Sequence, residues 1–447
     1  MDSAKTDMEA PVAVRPSEKS RWPFSIEFTM VMTALLVRMA LLAIPQNRID
    51  DSSYSNEISN IAISLSQGQG FSAPFPGELK TGPSAWIPPI YPFLCSVIIR
   101  LAGSYGRTAI VSIMAMNGLF SAFTCVPLFR AASRIFNRRV GFIAGWSFAL
   151  IPYFARWSVT WVWEITLSTL FMTTLLLLIL NVRDNPSWRN WIILGVVWGL
   201  SMLNNPSSMT LVGIAFLCFL YWQGIKSWKY IATTVLLCVV IIFPWLVRNR
   251  VVMGKWIFIR SNFGFELDLG NYHGSRGDCW MGHHPWANHH EYELYAQLGE
   301  SEYVARKGIE AKQFISQYPS EFLSLCWWRF KAFWSGAAMK MRPVWQWYWI
   351  PDLYPIFTVT TAFGLLLMLW RKMPETYLLF FTILLYPWPY YLDCVQTRFR
   401  HLIDPMMLMI TVYVLVEIGT SIWRGYQIYS RREDTVTPPP SLPQAQA

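Results

Sequence analysis

Arg48-Ile49-Asp50-Asp51-Ser52-Ser53-Tyr54 follows the first long apolar run, Phe24 to Pro45, with no linker between them. Two adjacent carboxylates beside an arginine and a tyrosine, at the mouth of a membrane helix, are costly to place so near hydrocarbon. Ionisable groups at that depth are candidates for function. Adjacent acids also push one pKa up, which suits a proton acceptor in a cleft. The bland alternative is a solvated helix cap, for which Asp and Ser are ordinary residues. The rest of the chain decides between the two.

Composition makes the preceding run a membrane span. The 447 residues are 53% hydrophobic and only 14% charged, with 24 Trp and 20 Tyr, and the mean hydropathy is +0.30. Soluble chains carry about 25% charge. The chain is therefore a polytopic membrane protein, and its Trp and Tyr fit aromatic belts at two interfaces. Its net charge of +10 falls largely in short loops. No basic run is interleaved with stacking aromatics, so a nucleic-acid partner is not expected. Seven Cys without CxxC spacing support neither a zinc ribbon nor a redox motif. Residues 1–20 are too long and mixed for a signal-peptide n-region, so the first apolar run is expected to be an uncleaved anchor.

A span needs about 20 apolar residues. The accepted runs are 24–44, 109–130, 140–155, 165–181, 190–204, 209–223, 229–247, 352–370, 376–392 and 402–423. With the N-terminus inside, the inner loops hold Arg134, Arg138 and Arg139, then Arg183 and Arg189, Lys226 and Lys229, and Arg371 and Lys372. This is the positive-inside pattern at every inner loop. It places both termini in the cytoplasm and Asp50 outside, in a cell inner (plasma) membrane. Trp86 to Gly103 is apolar but short and opens with prolines, and counting it as a span would reverse the following loops. It is expected to lie in the outer interface.

The expected fold is an all-α polytopic bundle of about ten transmembrane helices, with juxtamembrane helices and a small extracytoplasmic region. A cytoplasmic segment (1–23) precedes a transmembrane core (24–250) whose first outer loop is 45–107. An extracytoplasmic region (251–350), three further spans (351–425) and a disordered, Pro-rich cytoplasmic tail (426–447) follow. In the first outer loop, a helix is expected over 55–66 with Ile58, Ile61, Ala62 and Leu65 on one face. In the second, Gly254 to Trp286 reads as loop or short strands. Residues 301–317 read as a helix with Tyr303, Ala305, Ile309, Phe314 and Ile315 on its apolar face, and Pro319 restarts another.

Several charged groups fall on the outer side of this topology. Arg248 and Arg250 end one span, Asp393 precedes Arg398 and Arg400, Arg156 and Glu164 bracket a Trp-rich loop, and Lys80 lies in the first outer loop. Arginine near span ends is often only an anchor. Several of them beside a carboxylate pair point instead to an anion site, because guanidinium suits phosphate oxygens. Arg38, inside the first span, needs a partner that the sequence does not name. His273, His283, His284, His289 and His290 gather near Cys279, but paired HH steps lack the one-face spacing of a zinc motif.

Taken in order, these stretches resemble the GT-C superfamily of polyprenyl-phosphate-sugar-dependent glycosyltransferases, in the branch of protein O-mannosyltransferases, the lipid A aminoarabinose transferase and RgtA-type enzymes. Asp50-Asp51-Ser-Ser-Tyr54 is similar to the family's Asp-Glu-x-x-Tyr, and Pro88-Pro89-Ile90-Tyr91-Pro92 to its PPLYP step. Asn204-Asn205-Pro206-Ser207 stands where Thr-Arg-Pro-Thr is frequent. Pro244-Trp245-Leu246-Val247-Arg248-Asn249 resembles PWxxRN, with Gly270-Asn271 downstream, and Arg398-Phe399-Arg400 resembles RYR. Asp51 in place of Glu is a mild departure, whereas Asn205 in place of Arg removes a cation.

The resemblance implies a sugar donor on a polyprenyl phosphate, entering from the bilayer, and an acceptor hydroxyl on a protein, glycolipid or glycan. Asp50, or its neighbour Asp51, would be the base of an inverting attack, with Glu164 a further acid. Lys80, Arg248, Arg398 and Arg400 would hold the donor phosphate, and Tyr54, Tyr91 and Asn271 would contact substrate. No cofactor and no catalytic metal are expected. A secondary transporter would place its charges at midplane on repeated halves. A polymerase or ligase of lipid-linked glycans would share the outer anion site and differ in acceptor.

Overall fold

The computed structural model describes residues 25–44, 55–79, 81–279, 281–336 and 353–435. The chain begins with α1 (Ile26–Ala43), α2 (Glu57–Ser66) and α3 (Ile90–Ala102). It continues through α4 (Arg107–Phe123), α5 (Cys125–Ile135), α6 (Arg138–Leu150), α7 (Pro152–Thr160), α8 (Ile165–Asp184), α9 (Trp188–Asn204), α10 (Ser208–Gln223) and α11 (Trp228–Met253). Shorter helices follow: α12 (Phe263–Gly270), α13 (His289–Leu298), α14 (Glu300–Gln317) and α15 (Pro319–Ser335). The last group is α16 (Tyr354–Trp370), α17 (Thr376–Leu385), α18 (Trp388–Leu392), the 3-10 turn Thr397–Leu402 and α19 (Asp404–Thr435). Among the described residues β pairing is confined to two isolated bridges, Ser72 with Pro83 and Asp278 with Val395.

Each apolar run is helical where described, and among the described residues five helices are long and apolar enough to cross a membrane alone: Ile26–Ala43, Arg107–Ile135, Ile165–Asp184, Ile225–Met253 and Asp404–Ser430. The expected run 140–155 is broken instead into α6 and α7 at Ile151-Pro152, because Pro152 has no N–H to continue the ladder. Pro387 likewise separates α17 from α18. The 13 residues of α3 rise about 20 Å, short of the ~30 Å hydrocarbon core. Its exposed stripe of Phe93, Val97 and Leu101 fits a helix lying in the interface.

The break at Pro152 supplies the partner of Arg38. The last carbonyls of α6, Phe148 and Ala149, accept from Arg38 Nη2 and Nη1 at 3.1 and 3.0 Å, and Ser121 Oγ accepts from Nε at 2.8 Å. A helix C-terminus, with carbonyls free and its dipole negative, suits a buried cation. Close approach of α9 and α11 rests on Gly195 and Gly199, where an added Cβ would meet Thr234 O and Ile241 Cβ, each at 2.9 Å.

Of the loop or short strands expected over Gly254 to Trp286, the described residues form loop with α12, and β pairing there is the isolated Asp278–Val395 bridge. The α14 face is also rotated from the expected one: Tyr303, Val304, Lys307, Gly308, Ala311 and Phe314 are buried, whereas Ala305 and Ile309 are exposed. Gly264 of α12 sets that register, since a Cβ there would meet Val304 O at 2.5 Å. Backbone proximity, rather than apolar content, selects the packed face.

Ion pairs Glu27–Arg130 (2.8 Å), Arg183–Glu375 and Arg371–Glu417 (2.7 Å) gather at the end of the bundle that carries the Lys- and Arg-rich loops. The loops 55–107 and 254–336 cover the opposite end.

Candidate active site

A cavity of about 1020 Å³ opens at that opposite end. Its walls come from the start of α2, the Trp86–Pro92 step, the Thr160–Ile165 segment between α7 and α8, Asn204 and Asn205 after α9, the start and inner face of α12, and Asp393–Leu402.

Local capping explains how α2 reaches it. Asn56 accepts the Ser59 N–H through Oδ1 at 3.1 Å, and its Nδ2 donates to Val162 O at 2.9 Å. The N-terminus of α2 is thereby fixed to the Trp-rich wall, and Glu57, its first residue, enters the cavity. Glu57 Oε1 lies 3.1 Å from His284 Nε2. The Trp286 N–H donates to His284 Nδ1 at 3.1 Å, so the imidazole proton sits on Nε2 and faces Glu57. Burial works to raise the Glu57 pKa, but the hydrogen bond from His284, with Arg398 behind, holds it below the ordinary value.

Glu164, at the N-cap position of α8, is opposite in character. Its Oε1 accepts from Asn205 Nδ2 at 3.4 Å and its Oε2 is buried without a partner. Burial raises its pKa against the pull of Arg398 and Arg260. Arg398 stands on the 3-10 turn with its guanidinium carbon 4.0 Å over the Trp163 ring and 5.4 Å over Trp161. It has no hydrogen-bond acceptor among the described residues, and its Nε is buried unpaired. Among the described residues the carboxylates of Glu164, Glu57 and Glu266 act on its charge.

On the loop-region side, Arg260 pairs with Glu266 at 3.3 Å, and Asn262 Nδ2 donates to the same carboxylate at 2.7 Å. Asp393 is pushed up to about 8 by burial and by Glu266. The disulfide Cys279–Cys394, with a Cα separation of 5.4 Å, forms the adjoining wall. It ties the loop region to the 3-10 turn across 115 residues. In the chain-entropy picture a closure of that length contributes about 4–5 kcal/mol.

Of the residues singled out from the sequence, Glu164, Arg398 and Tyr91 line this cavity, Tyr91 donating to Asn117 Oδ1 at 2.8 Å. Arg248, Arg400 and Asn271 do not line it. Arg248 donates to Ser84 O and Phe71 O at 2.6 and 2.8 Å, while Trp245 and Asn249 hold Ile259 O and Ile257 O. The Pro244–Asn249 motif is thus a clamp between the end of α11 and both loops. Asn271 braces Leu267 O and Leu392 O, each at 2.7 Å. Asp50, Asp51, Tyr54 and Lys80 lie outside the described residues. The chain enters the cavity wall at Ser55 and Asn56, and covalent reach alone keeps Asp51 within about 14 Å of Ser55.

The histidines do not gather. His284 pairs with Glu57, His289 with Glu293 at 3.2 Å, and His273 with Glu321 at 3.4 Å, while His283 stacks on Tyr272. Among the described residues no group of three His, Cys, Asp or Glu has metal-ligand geometry. Sequence reasoning passed over Glu57, Arg260 and Glu266, and weighed His284 only as a metal ligand. The signal for Glu57 was present, an acid directly after an Asn cap, but it reads equally as dipole complement.

Two consequences are measurable. Arg248→Ala strips charged donors from two loop carbonyls and should cost about 3–6 kcal/mol of stability, at about 1.5–3 kcal/mol each. Thermal unfolding checks it, and an unchanged Tm would contradict the clamp. Asp393 holds its proton in the folded state up to about pH 8, whereas the unfolded carboxyl releases it near pH 4. Folding therefore takes up a proton in that window, and stability falls as pH rises from about 4 to 8, by up to ~1.4 kcal/mol per unit. Asp393→Asn should flatten the Tm profile between pH 5 and 8, and a variant as steep as the wild type would contradict it.

A family model described as dolichyl-phosphate-mannose-protein mannosyltransferase matches residues 87–247, less than half of the chain. No curated protein matches the chain. The oligosaccharyltransferase of Archaeoglobus fulgidus in its apo form superposes with a TM-score of 0.53 at 13% identity, over 95% of this chain and 54% of that one. The Archaeoglobus fulgidus oligosaccharyltransferase AglB in complex with an inhibitory peptide and a dolichol-phosphate gives 0.51 at 12%, over 93% and 52%. The chain thus spans about half the length of these relatives, and the likeness concerns the fold. ArnT from Cupriavidus metallidurans, bound to undecaprenyl phosphate, is 15% identical over 92% of this chain and 81% of its own, with a TM-score of 0.42, too low to carry an argument. In fold, and in the stretch holding the Pro88–Pro92 and Pro244–Val247 motifs, the chain is similar to GT-C glycosyltransferases, the resemblance that its motifs carry.

Proposed function

We propose that the chain is an integral-membrane glycosyltransferase that moves a sugar from a polyprenyl-phosphate donor to an acceptor hydroxyl, with inversion, on the extracytoplasmic face. The observation that carries this is Arg398. A guanidinium in a cavity of this size, stacked on Trp163 and given no acceptor among the described residues, is set to receive the oxygens of an anion. A phosphate leaving group becomes more negative as the glycosidic bond breaks, so a fixed cation beside it stabilises the transition state more than the ground state. The matched protein mannosyltransferase family and the dolichol-phosphate complex of the superposed oligosaccharyltransferase support a polyprenyl-phosphate donor. The cavity mouth lies at the end opposite the basic loops, and a disulfide in its wall suits an oxidising compartment. Both favour the outer face of an inner membrane with cytoplasmic termini.

Asp50 is the proposed base, five residues before Ser55, where the cavity wall begins. It takes the hydroxyl proton as oxygen attacks the anomeric carbon opposite the phosphate. Glu57, held ionised by His284, accepts hydrogen bonds from the acceptor, and Glu164, its pKa raised by burial, faces the sugar. No metal is assigned a role. Purified protein given a labelled polyprenyl-phosphate sugar and a panel of protein, glycolipid and glycan acceptors should release the polyprenyl phosphate and form one anomer. Ion-coupled transport in proteoliposomes without any transfer would overturn the reading in favour of a transporter.

A further inference from the structure

A second cluster of buried cations lies away from the cavity lining. Arg156, on α7, is 6% exposed and Arg400, on the 3-10 turn, is 0% exposed, and neither lines the cavity. The guanidinium carbon of Arg156 lies 4.5 Å over the Tyr153 ring, 4.9 Å over Trp157 and 5.8 Å over Tyr354. Ring faces attract the flat face of a guanidinium but accept none of its in-plane N–H groups. Nε and Nη2 of Arg156 are buried with no partner. Arg400 sits 3.9 Å over the same Tyr354 ring. Its Nε donates to Asp404 Oδ1 at 3.1 Å and its Nη1 to Tyr354 O and Thr358 Oγ1, each at 3.1 Å, but its Nη2 has no partner. The Trp157 indole Nε1 is a further buried donor left over.

Among the described residues a single carboxylate, Asp404, pairs with this charge. Asp404 is occupied on both oxygens, by Arg400 and by His401 Nδ1 at 3.3 Å. Among the described residues no other carboxylate pairs with Arg156, Arg400 or Arg38. Arg38 belongs to the same cluster through Phe148, which stacks 6.3 Å from His401, itself 6.4 Å from Trp157. Among the described residues three guanidinium groups thus share one carboxylate, in an interior where an unneutralised charge and an unserved donor are both strongly disfavoured.

We propose that a small inorganic anion, chloride in ordinary salt, is bound between Arg156 and Arg400, accepting from Nε and Nη2 of Arg156, Nη2 of Arg400 and Nε1 of Trp157. The site braces two segments of the cavity wall at once. α7 runs directly into Thr160–Glu164, and the turn that holds Arg400 also holds Arg398. The claim is independent of the donor and acceptor of the reaction.

The test uses the full chain in detergent, in sodium chloride, bromide or gluconate at equal ionic strength. The wild type should unfold about 2–4 °C lower in gluconate than in either halide. Arg156→Met should lose that difference. Crystals grown in bromide should show anomalous density between Arg156 and Arg400. A wild-type Tm indifferent to the anion, with no bromide at the arginines, would overturn the proposal. If Arg156→Met fails to fold, the wild-type bromide map still decides it. Density for water alone between the two arginines in that map would count against an anion.

Discussion

Arg398→Ala is expected to lower kcat/KM on a polyprenyl-phosphate sugar by about 10²–10³-fold, as loss of one charge-stabilising donor typically does. Unlike Arg248, whose donors are used on Phe71 and Ser84 carbonyls, Arg398 makes no hydrogen bond to the described protein, so its removal strands no partner. The effect should appear in transfer with little change in Tm. Arg398→Lys should recover only part of the activity, because an ammonium cannot give a planar, two-pronged contact and loses its stacking on Trp163. Steady-state kinetics beside thermal unfolding separates the two readings. Activity within about twofold of wild type would make Arg398 an interfacial anchor.

Asp50→Asn should lower transfer by at least ~10²-fold while donor binding and membrane insertion stay normal, since general-base catalysis is typically worth about 10²–10⁴-fold. Asn keeps the size and most hydrogen bonding but loses the basicity. Asp51→Asn should cost less. Glu164→Gln should also cost less in the chemical step, because a carboxyl whose pKa burial has raised is a poorer carboxylate base at low pH. Single-turnover rates on one preparation, with donor affinity measured separately, order the three. Full activity of Asp50→Asn with a dead Glu164→Gln would move the base to the α8 cap.

What the sequence revealed and what it hid divide along physical lines. The apolar runs became helices because hydrocarbon leaves no other solution for backbone hydrogen bonds, and Pro152 broke one of them by a rule legible in advance. Glu164 and Arg398 were legible as charges at span ends on one face, and the structure brings both to the cavity. Arg248 and Arg400 carried the same signal and lie elsewhere. Charge at a span end says that a partner is needed, but only packing decides whether it is a ligand or a loop carbonyl. Glu57 with His284, and Arg260 with Glu266, were not legible because pairs formed between distant loops leave no periodic trace. The α14 face was misjudged because Gly264 and Gly308, with no side chains to register in a hydrophobic pattern, set the contact.

The most direct measurement is a cryo-EM map of the protein with a polyprenyl phosphate added in lipid nanodiscs. The account predicts phosphate density in the 1020 Å³ cavity, within hydrogen-bond distance of the Arg398 guanidinium, and its loss in Arg398→Ala. Phosphate density held elsewhere, with Arg398 still resting unpaired on Trp163, would contradict it.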